Sequence, residues 1–543
     1  MRCESVSLYL SERLAVRLPF ARCEIIKLGE GEDETLKEHK VFTATRRQFI
    51  VSAAACASLW KTAFAQSGDT AEVRRQALAS DPQRPQFHLL PARNWMNDPN
   101  GPVFFNGKYH MFFQYNPMGA VWGNMSWNHA VSTDMLHWTH LPVALTPTPG
   151  SPDAYGVFSG TAITVGKRVY MVYTATRNST PELATLKDGG KPIQESQCIA
   201  WSDDPNLVHW TKDPNPVIPL PPKGLDITGF RDPSPWKQDG VYYMAVGSGV
   251  ARKGGCVLLY RSHDLKQWEY LHPLAEGTWN GQHTANPCDD GEMWECPDFF
   301  ALDGSHVLIY STLGKVIWQS GSFDTTTLRF TAKKTGVLDF DAFYAPKTQL
   351  DAQGRRILWG WVPERRPDAA MLKAGWSGMM SLPRTMRLDP DGTLRLQILP
   401  QSSALRGATI NVAKGESGRQ FTLPESNGEF VAEGRKGADM RVSISSGGNE
   451  FMKIEYLPQR NVMVANGHEI QLQPGDSPFV HAFADASVLE VILSERVGYT
   501  LRFYSTGAAA ADLQVRLTGA ITGIHAWKVT PISNDRLTTP SQT

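Results

Sequence analysis

The stretch NGKYHMFFQY, residues 106–115, joins a glycine turn to a run of aromatic and apolar residues. A turn of this kind before such a run is typical of a β-hairpin. The same pattern recurs in VGKRVYMVYT (165–174), DGVYYMAVGS (239–248), DGSHVLIYST (303–312) and QGRRILWGWV (353–362). The turn glycines, Gly107, Gly166, Gly240, Gly304 and Gly354, are 59, 74, 64 and 50 residues apart. Hairpins at this spacing predict a repeated β architecture.

A second sequence pattern, which ends in tryptophan, alternates with the glycine-turn pattern. Its three copies are STDMLHW, ending at Trp138, SDDPNLVHW, ending at Trp210, and SHDLKQW, ending at Trp268. Units with several short strands and one aromatic anchor are typical of β-propeller blades, so we predict an all-β fold with a five-bladed β-propeller over residues 85–395. The alternative is an ordinary β-sandwich with coincidental hairpins, but a sandwich does not require the unit to recur in register.

The pattern changes after Pro400. Short alternating strands such as FMKIEYL (451–457) and YTLRFYS (499–505) occur there without the blade motif. Alternation of this kind is typical of strands with one buried face, so we predict a separate C-terminal β-sandwich over residues 405–535.

The first 65 residues resemble an extension followed by a signal peptide. TRRQFI (45–50) leads into the short apolar stretch FIVSAAACASLW (49–60) and then AFA, which ends at Ala65. The paired arginines and the A-x-A site predict export by the twin-arginine route to the periplasm or the outside of the cell. The alternative is an amphipathic helix that starts a folded domain. The apolar stretch is too short to span a bilayer, so we expect the mature chain to have no membrane partner.

Charge and cysteine content exclude several classes of function. The chain has 54 basic and 54 acidic residues, so it has no net positive charge to attract nucleic acid. Cys198, Cys256, Cys288 and Cys296 follow residue 65, and their spacing matches no zinc pattern. We therefore expect no metal and no cofactor, while a single disulfide among these cysteines stays open.

Three acidic residues stand at a nearly constant distance before a turn glycine. Asp98 precedes Gly107 by nine residues in NDPNGPVFFNG, Asp232 precedes Gly240 by eight in RDPSPWKQDG, and Glu295 precedes Gly304 by nine in ECPDFFALDG. Each acid alone is equally consistent with an Asp-Pro type of turn. The shared offset predicts equivalent positions on the innermost strands of three blades, where the carboxyl groups would converge on one axial pocket.

Facing carboxyl groups without a metal cluster or a Ser-His or Cys-His pair suit glycoside hydrolysis. One ionised carboxylate attacks or stabilises the anomeric carbon, and one protonated acid delivers a proton to the leaving oxygen. Because Arg231 flanks Asp232, we expect Asp232 to stay ionised and to accept hydrogen bonds from sugar hydroxyls.

From Pro85 onward the chain resembles glycoside hydrolase family 32, the β-fructofuranosidases. The motifs that carry the resemblance appear in the family's order: WMNDPNG, FFQYNP, WGNMSWNHAVSTD, FSGTA, FRDP, ECPD, FYAPKT and GWSGMMSLPR. The resemblance implies a five-bladed propeller followed by a β-sandwich. It also implies a retaining mechanism, with the Asp98 and Glu295 carboxyl groups about 5–5.5 Å apart.

The resemblance further implies individual roles. Asp98 would be the nucleophile, Glu295 the acid/base and Asp232 the transition-state stabiliser. The subsite for the terminal fructose would be lined by Asn97, Gln114, Trp122, Ser159 and Arg231. Trp122 and Phe158 could be core aromatics, but we expect them to form a wall of the sugar pocket because their motifs adjoin the polar ones. Plant-type members have an Asp-Tyr-Gly-Lys run before FYA, associated with sucrose. Here DFDA (339–342) keeps the acid, Asp339, as a substrate contact but lacks the lysine.

We therefore expect exo-release of terminal fructose from levan or inulin, with sucrose also accepted. A sucrose-specific invertase and a fructosyltransferase of the same family are alternatives. An inverting five-bladed arabinanase or xylosidase is a more distant one, and a non-catalytic carbohydrate-binding propeller belongs to another class. The expected partner is a fructose-containing oligo- or polysaccharide, and the expected state is a monomer or weak homo-oligomer.

Overall fold

The computed structural model describes residues 71–188, 191–415, 418–505 and 509–538. These residues all belong to one compact unit, Ala71–Thr543, so both predicted domains lie inside it. The predicted extension and signal peptide, residues 1–65, lie outside the described residues. Within the described ranges, no helix has the length and apolar character needed to cross a membrane.

The first part of the described chain consists of β-strands and two short helices. The helices are α1 (Ala71–Ser80) and α2 (Asp368–Ala374). The strands are β1 (Asn94–Phe105), β2 (Lys108–Asn116), β3 (Ser126–Ser132), β4 (Trp138–Leu145), β5 (Gly156–Val165), β6 (Arg168–Asn178), β7 (Leu186–Asp188), β8 (Lys191–Ser202), β9 (Thr211–Lys212), β10 (Ile227–Gln238), β11 (Val241–Val250), β12 (Gly254–Ser262), β13 (Glu269–Glu276), β14 (Glu295–Leu302), β15 (Ser305–Thr312), β16 (Lys315–Asp324), β17 (Arg329–Asp341), β18 (Tyr344–Leu350), β19 (Arg356–Val362), β20 (Trp376–Ser377), β21 (Met379–Met380), β22 (Arg384–Leu388) and β23 (Leu394–Ile398).

These strands form antiparallel groups in chain order. The groups are β1-β2-β3-β4 with β20 at the edge, β5-β6-β8-β7, β10-β11-β12-β13, β14-β15-β16-β17, and β18-β19-β22-β23. The first strand of each group contacts the first strand of the next, and β18 contacts β1. The groups therefore stand in a propeller-like arrangement, with their first strands innermost.

The predicted hairpins are present at the turn glycines. Asn106 and Gly107 have φ of 48° and 76° between β1 and β2, and Asp303 and Gly304 have φ of 46° and 76° between β14 and β15. Two consecutive residues with positive φ match the twist of the flanking strands, and Asn-Gly and Asp-Gly adopt this geometry at low cost. The hairpin prediction is confirmed at both positions.

The tryptophan element also recurs in register. The indole N–H of Trp138, Trp210 and Trp268 donates to the main-chain oxygen three residues earlier, at 3.2, 2.7 and 3.0 Å. In each turn an aspartate carboxylate accepts main-chain N–H groups, as Asp264 does from Lys266 and Gln267. The three turns are therefore the same local structure in three groups, which a coincidental set of hairpins would not produce.

In the described residues of the C-terminal part, the regular secondary structure consists of strands and two short 3₁₀ helices. The helices are Pro400–Leu405 and Pro424–Ser426. The strands are β24 (Arg406–Thr409), β25 (Ala413–Gly415), β26 (Gly418–Leu423), β27 (Asn427–Gly434), β28 (Met440–Ser446), β29 (Asn449–Leu457), β30 (Val462–Ala465), β31 (His468–Gln471), β32 (Phe479–Asp485), β33 (Val488–Leu493), β34 (Val497–Arg502), β35 (Leu513–Gly519) and β36 (Ile521–Val529).

Two sheets of the C-terminal part share one apolar core. One sheet has the order β25-β26-β35-β28-β29-β30-β31, and the other continues from β17 through β34-β33-β32-β27-β36-β24. Leu423 and Val442 from the first sheet and Val480 and Val491 from the second are fully buried in the same cluster. The parallel pairing of β17 with β34 joins the C-terminal strands to the fourth group of the propeller-like part.

Candidate active site

A cavity of about 870 Å³ lies where the first strands of the groups converge. Every predicted site residue except Asp339 lines it. These residues are Asn97, Asp98, Gln114, Trp122, Phe158, Ser159, Arg231, Asp232 and Glu295. The structure therefore confirms that the three acids face one hollow although they lie in distant parts of the chain.

A β-bulge in each innermost strand directs these side chains. In β1, Met96 pairs with Tyr115 and Pro99 with Phe113, so one extra residue stands between the pairs. The same shift occurs between Arg231 and Ser234 in β10 and between Glu295 and Asp298 in β14. A bulge bends the strand and re-aims the side chains within it. The Asp-Pro and Cys-Pro sequences fall in these bulges because proline cannot donate a ladder hydrogen bond.

The bulges show that the three acids do not occupy equivalent strand positions, contrary to the prediction from the sequence. Asp98 and Asp232 both lie inside the bulge, directly before a proline, whereas Glu295 is the paired residue before it, opposite Ser311. The bulge residue of β14 is Cys296 instead. The distances to the turn glycines suggested equivalent positions, but the hydrogen-bond register places Glu295 one residue earlier, at the position that Arg231 occupies in β10.

Asp98 is held by three side-chain donors, Ser159, Asn97 and the Cys296 thiol. Ser159 Oγ donates to Oδ2 at 2.6 Å and Asn97 Nδ2 donates to Oδ1 at 3.1 Å. Burial raises the pKa of Asp98 above its ordinary value, the Ser159 and Asn97 hydrogen bonds oppose this, and the charge of Glu295 adds to it. Trp95 Nε1 donates to Asn97 Oδ1 at 2.6 Å, which fixes the amide so that its NH₂ faces Asp98.

Asp232 is the most buried of the three acids, with 3% of its surface exposed. Its Oδ2 accepts a 2.9 Å hydrogen bond from the Cys296 main-chain N–H, and its own N–H donates to Thr174 Oγ1 at 2.8 Å. Burial raises the pKa of Asp232 to about 7, although the Arg231 charge lowers it. Arg231 thus favours the ionised form of Asp232, as expected, but burial outweighs this effect, and the Arg231 guanidinium bonds Glu195 and Glu295 instead.

Glu295 is bonded at both oxygens. Arg231 Nε and Nη2 donate to Oε1 at 3.1 and 2.9 Å, and Tyr344 Oη donates to Oε2 at 2.9 Å. Its side chain is 20% exposed, which leaves it open to the cavity. This environment differs from that of Asp98, and two carboxyl groups in different environments can divide acid and nucleophile roles.

Arg231 is buried between two glutamates. Its Nη1 donates to Glu195 Oε1 at 3.0 Å, and Nη2 also contacts Cys288 Sγ at 3.4 Å. Glu195, on β8, is fully buried and also accepts the Phe230 main-chain N–H at 2.8 Å and Thr185 Oγ1 at 2.7 Å.

Cys296 is a buried thiol between two acids. Its Sγ contacts Asp98 Oδ2 at 3.5 Å and Asp232 Oδ2 at 3.4 Å. Burial and the two carboxylates raise the pKa of this thiol well above its ordinary value, so it is a neutral group rather than a nucleophile. Cys198, Cys256, Cys288 and Cys296 are all free and buried.

Aromatic side chains form one wall of the cavity. Trp122 is 45% exposed there and meets Phe158 edge to face, with the ring centroids 5.9 Å apart. Trp361 lines the same cavity and packs against Trp95 at 5.9 Å. Gln114 approaches from β2, with its Nε2 donating to the Val157 main-chain oxygen at 3.1 Å. Exposed aromatic faces beside polar groups suit a sugar ring.

Asp339 is not part of this site, and its predicted substrate contact is wrong. Its side chain is fully buried at the junction with the C-terminal strands, where Arg384 Nη1 donates to Oδ2 at 2.5 Å. Thr500 donates to it through both its main-chain N–H and its hydroxyl, each at 2.9 Å. The parallel pairing of β17 with β34 directs Asp339 into this network and away from the cavity.

Sequence reasoning missed several lining or supporting residues. Tyr344 lies at the β18 position that matches Glu295, two residues before the proline of FYAPKT, and that register could have identified it. Glu195 lies in QESQ (194–197), a run of buried polar residues within a strand, which is a weaker signal. Two further segments line the cavity, and no motif marked either of them. One contributes Pro181, Ala184, Thr185 and Leu186, and the other contributes Ala285, Asn286, Pro287 and Asp289.

Among the described residues, no group of three or more His, Cys, Asp or Glu side chains could hold a metal ion. The site therefore consists of three carboxyl groups, their hydrogen-bond donors and an aromatic wall. Such an arrangement can protonate a glycosidic oxygen and supply a carboxylate to the anomeric carbon.

The chain is similar to known proteins in sequence and in fold. The family model for the glycosyl hydrolases family 32 N-terminal domain matches residues 88–398. A sucrose-6-phosphate hydrolase of Escherichia coli is 32% identical over 447 residues, covering 76% of this chain and 87% of the relative. An insoluble β-fructofuranosidase isoenzyme of Daucus carota is 34% identical over 392 residues, covering 67% of this chain and 62% of the relative.

A solved structure is similar over most of the described chain. The Bombyx mori GH32 β-fructofuranosidase matches with a TM-score of 0.71 at 28% identity, covering 84% of this chain and 96% of that chain. A mutant of the same insect enzyme has been solved in complex with sucrose.

Proposed function

Because the chain belongs to glycoside hydrolase family 32 and is a glycosidase, we propose that it releases terminal β-D-fructofuranosyl residues from levan, inulin and sucrose. The observation that carries this proposal is the pair Asp98 and Glu295, which line one cavity with different hydrogen-bond partners. The proposed mechanism is a double displacement with retention of configuration.

In the first step, Asp98 attacks the anomeric carbon of the fructosyl residue while Glu295 transfers its proton to the glycosidic oxygen. The glycosidic bond breaks, the leaving sugar departs with the proton, and the fructosyl group is bound covalently to Asp98. In the second step, Glu295 takes a proton from water, and the resulting hydroxide displaces Asp98. Because burial raises the pKa of Asp98, we expect activity to fall on the acid side as this carboxylate is protonated.

Asp232 would stabilise the positive charge that develops on the ring. In its ionised form it accepts hydrogen bonds from sugar hydroxyls, and these strengthen as the ring becomes cationic. The Cys296 main-chain N–H supports its orientation. Burial opposes this ionised form, since it raises the pKa of Asp232, whereas the Arg231 charge favours it.

A broad choice of leaving sugar follows from the placement of Asp339. In plant-type members the equivalent acid is associated with sucrose, but here Arg384 and Thr500 hold it away from the cavity. We therefore favour fructan chains alongside sucrose. The phosphorylated substrate named for the Escherichia coli relative is a further candidate to include in assays.

The decisive experiment incubates the purified protein separately with sucrose, inulin and levan and separates the products by chain length. Free fructose as the first product from all three supports exo-hydrolysis. Fructo-oligosaccharides without free fructose at high sucrose would instead support a fructosyltransferase. Transfer to added methanol reports stereochemistry, because retention gives methyl β-D-fructofuranoside. No product from any substrate would support a non-catalytic carbohydrate-binding propeller.

We further propose that the chain is a five-bladed propeller followed by a β-sandwich. The ring of contacts among β1, β5, β10, β14 and β18 supports the blade count, and the core shared by two C-terminal sheets supports the sandwich. Twin-arginine export and a monomeric or weakly associated state are also proposals, which cell fractionation and light scattering of the purified protein would test.

A further inference from the structure

The Arg231 guanidinium is shared by two carboxylates that differ in their access to the cavity. Arg231 and Glu195 have side chains 7% and 0% exposed, whereas the Glu295 side chain is 20% exposed and faces the cavity. Glu195 lines no part of the cavity, so it cannot touch the substrate. Its partners are the Arg231 Nη1, the Phe230 main-chain N–H and the Thr185 hydroxyl, at 3.0, 2.8 and 2.7 Å.

A buried cation needs a counter-charge in every state of the reaction. Under the proposed function, Glu295 is neutral while it acts as an acid and ionised after it gives up its proton. If Glu295 were the only partner of Arg231, each protonation would leave a buried guanidinium unpaired, and this is costly. The cost would favour the ionised form of Glu295 and deplete the general acid.

We propose that Glu195 is a positioning residue that gives Arg231 a permanent counter-charge, so that Glu295 can gain and lose its proton while Arg231 stays in place. This inference rests on the proposed function and assigns a role to a residue outside the cavity. The Phe230 and Thr185 hydrogen bonds fix the Glu195 carboxylate.

The test compares Glu195→Gln with Glu195→Asp. Glutamine keeps the size but removes the charge and replaces one acceptor oxygen with an NH₂ donor, whereas aspartate keeps the charge and both acceptors and shortens the side chain. For Glu195→Gln with sucrose, we expect the alkaline limb of the kcat/KM profile to move to lower pH by about one unit. At pH values above the limb, kcat/KM should therefore be roughly tenfold lower than in wild type. At acidic pH, most of the wild-type kcat/KM should be retained. For Glu195→Asp, we expect the limb to stay within about 0.3 pH units of wild type, because the counter-charge is retained.

Glu429→Gln is the matched control. Glu429 is 1% exposed and accepts two hydrogen bonds from Arg406, each at 2.7 Å, but it lies on β27 outside the cavity. A general loss of stability from neutralising a buried glutamate should appear in both glutamine variants. The shift of the alkaline limb should appear only in Glu195→Gln.

A uniform loss of activity at every pH in Glu195→Gln, with the limb unmoved, would overturn the inference. If Glu195→Gln does not fold at the assay temperature, Glu195→Asp decides. A limb displaced by a full unit despite the retained charge overturns the inference, and an unmoved limb supports it. Failure of the proposed function is distinct, since wild-type protein would then release no fructose at all.

Discussion

The main-chain N–H of Cys296 donates a 2.9 Å hydrogen bond to Oδ2 of Asp232, joining the bulges of two neighbouring innermost strands. Both residues have positive φ, 49° and 64°. Such backbone conformations cost energy for residues other than glycine and are found most often at functional sites. The Asp232 carboxylate is thus tied to the main chain directly after Glu295.

Asp98→Asn should remove activity without unfolding the protein. Asparagine matches the size of aspartate and can still accept the Ser159 hydrogen bond, but it cannot attack the anomeric carbon. We expect kcat for fructose release to fall by about a thousandfold or more, with little change in Tm. Steady-state kinetics and thermal unfolding check this, and retention of wild-type kcat would refute the nucleophile assignment.

Asp232→Asn should stabilise the folded protein at neutral and alkaline pH. The pKa of Asp232 is raised from 3.8 to about 7, so the folded protein holds this proton more tightly than the unfolded chain does. Stability from this group is present below pH 3.8 and is lost as the pH rises through about 7.

Asparagine cannot ionise, so the advantage of the variant should be larger at pH 8 than at pH 4. Urea unfolding at the two pH values measures the difference. If the difference in unfolding free energy between the variant and wild type were the same at both pH values, the raised pKa of Asp232 would be contradicted. The same variant should lose activity, because asparagine carries no negative charge to stabilise the cationic ring.

Asp339→Asn should leave catalysis nearly unchanged. Its side chain is fully buried against Arg384 and Thr500, outside the cavity. We expect KM for sucrose and kcat to remain within about twofold of wild type, because no substrate contact is lost. A rise in KM of tenfold or more would restore Asp339 as a sucrose contact.

Trp122→Ala should weaken substrate binding. The indole is 45% exposed in the cavity and adjoins Phe158, so its removal takes away a face of the sugar pocket rather than a part of the core. We expect KM to rise about tenfold, equivalent to roughly 1.4 kcal/mol, with Tm almost unchanged. Leu220→Ala is the control, since Leu220 is similarly exposed at 42% but does not line the cavity.

The repeating unit and the identity of the three acids could be predicted from local sequence alone. Glycine turns such as Asn106-Gly107 and anchors such as Trp138 are local features that need only neighbouring residues, so their pattern could be read along the chain. Asp98, Asp232 and Glu295 could be found because they recur at a similar distance from those turns.

The surroundings of each acid depend on contacts between distant parts of the chain. The register of the bulges separates Glu295 from the position of Asp98 and Asp232, and the pairing of β17 with β34 removes Asp339 from the site. Glu195 reaches Arg231 from another strand group, across 36 residues of sequence. Burial and charge pairing depend on which distant strands meet, and no local pattern specifies this, so the pKa of Asp232 and the counter-charge of Arg231 emerged only from the fold.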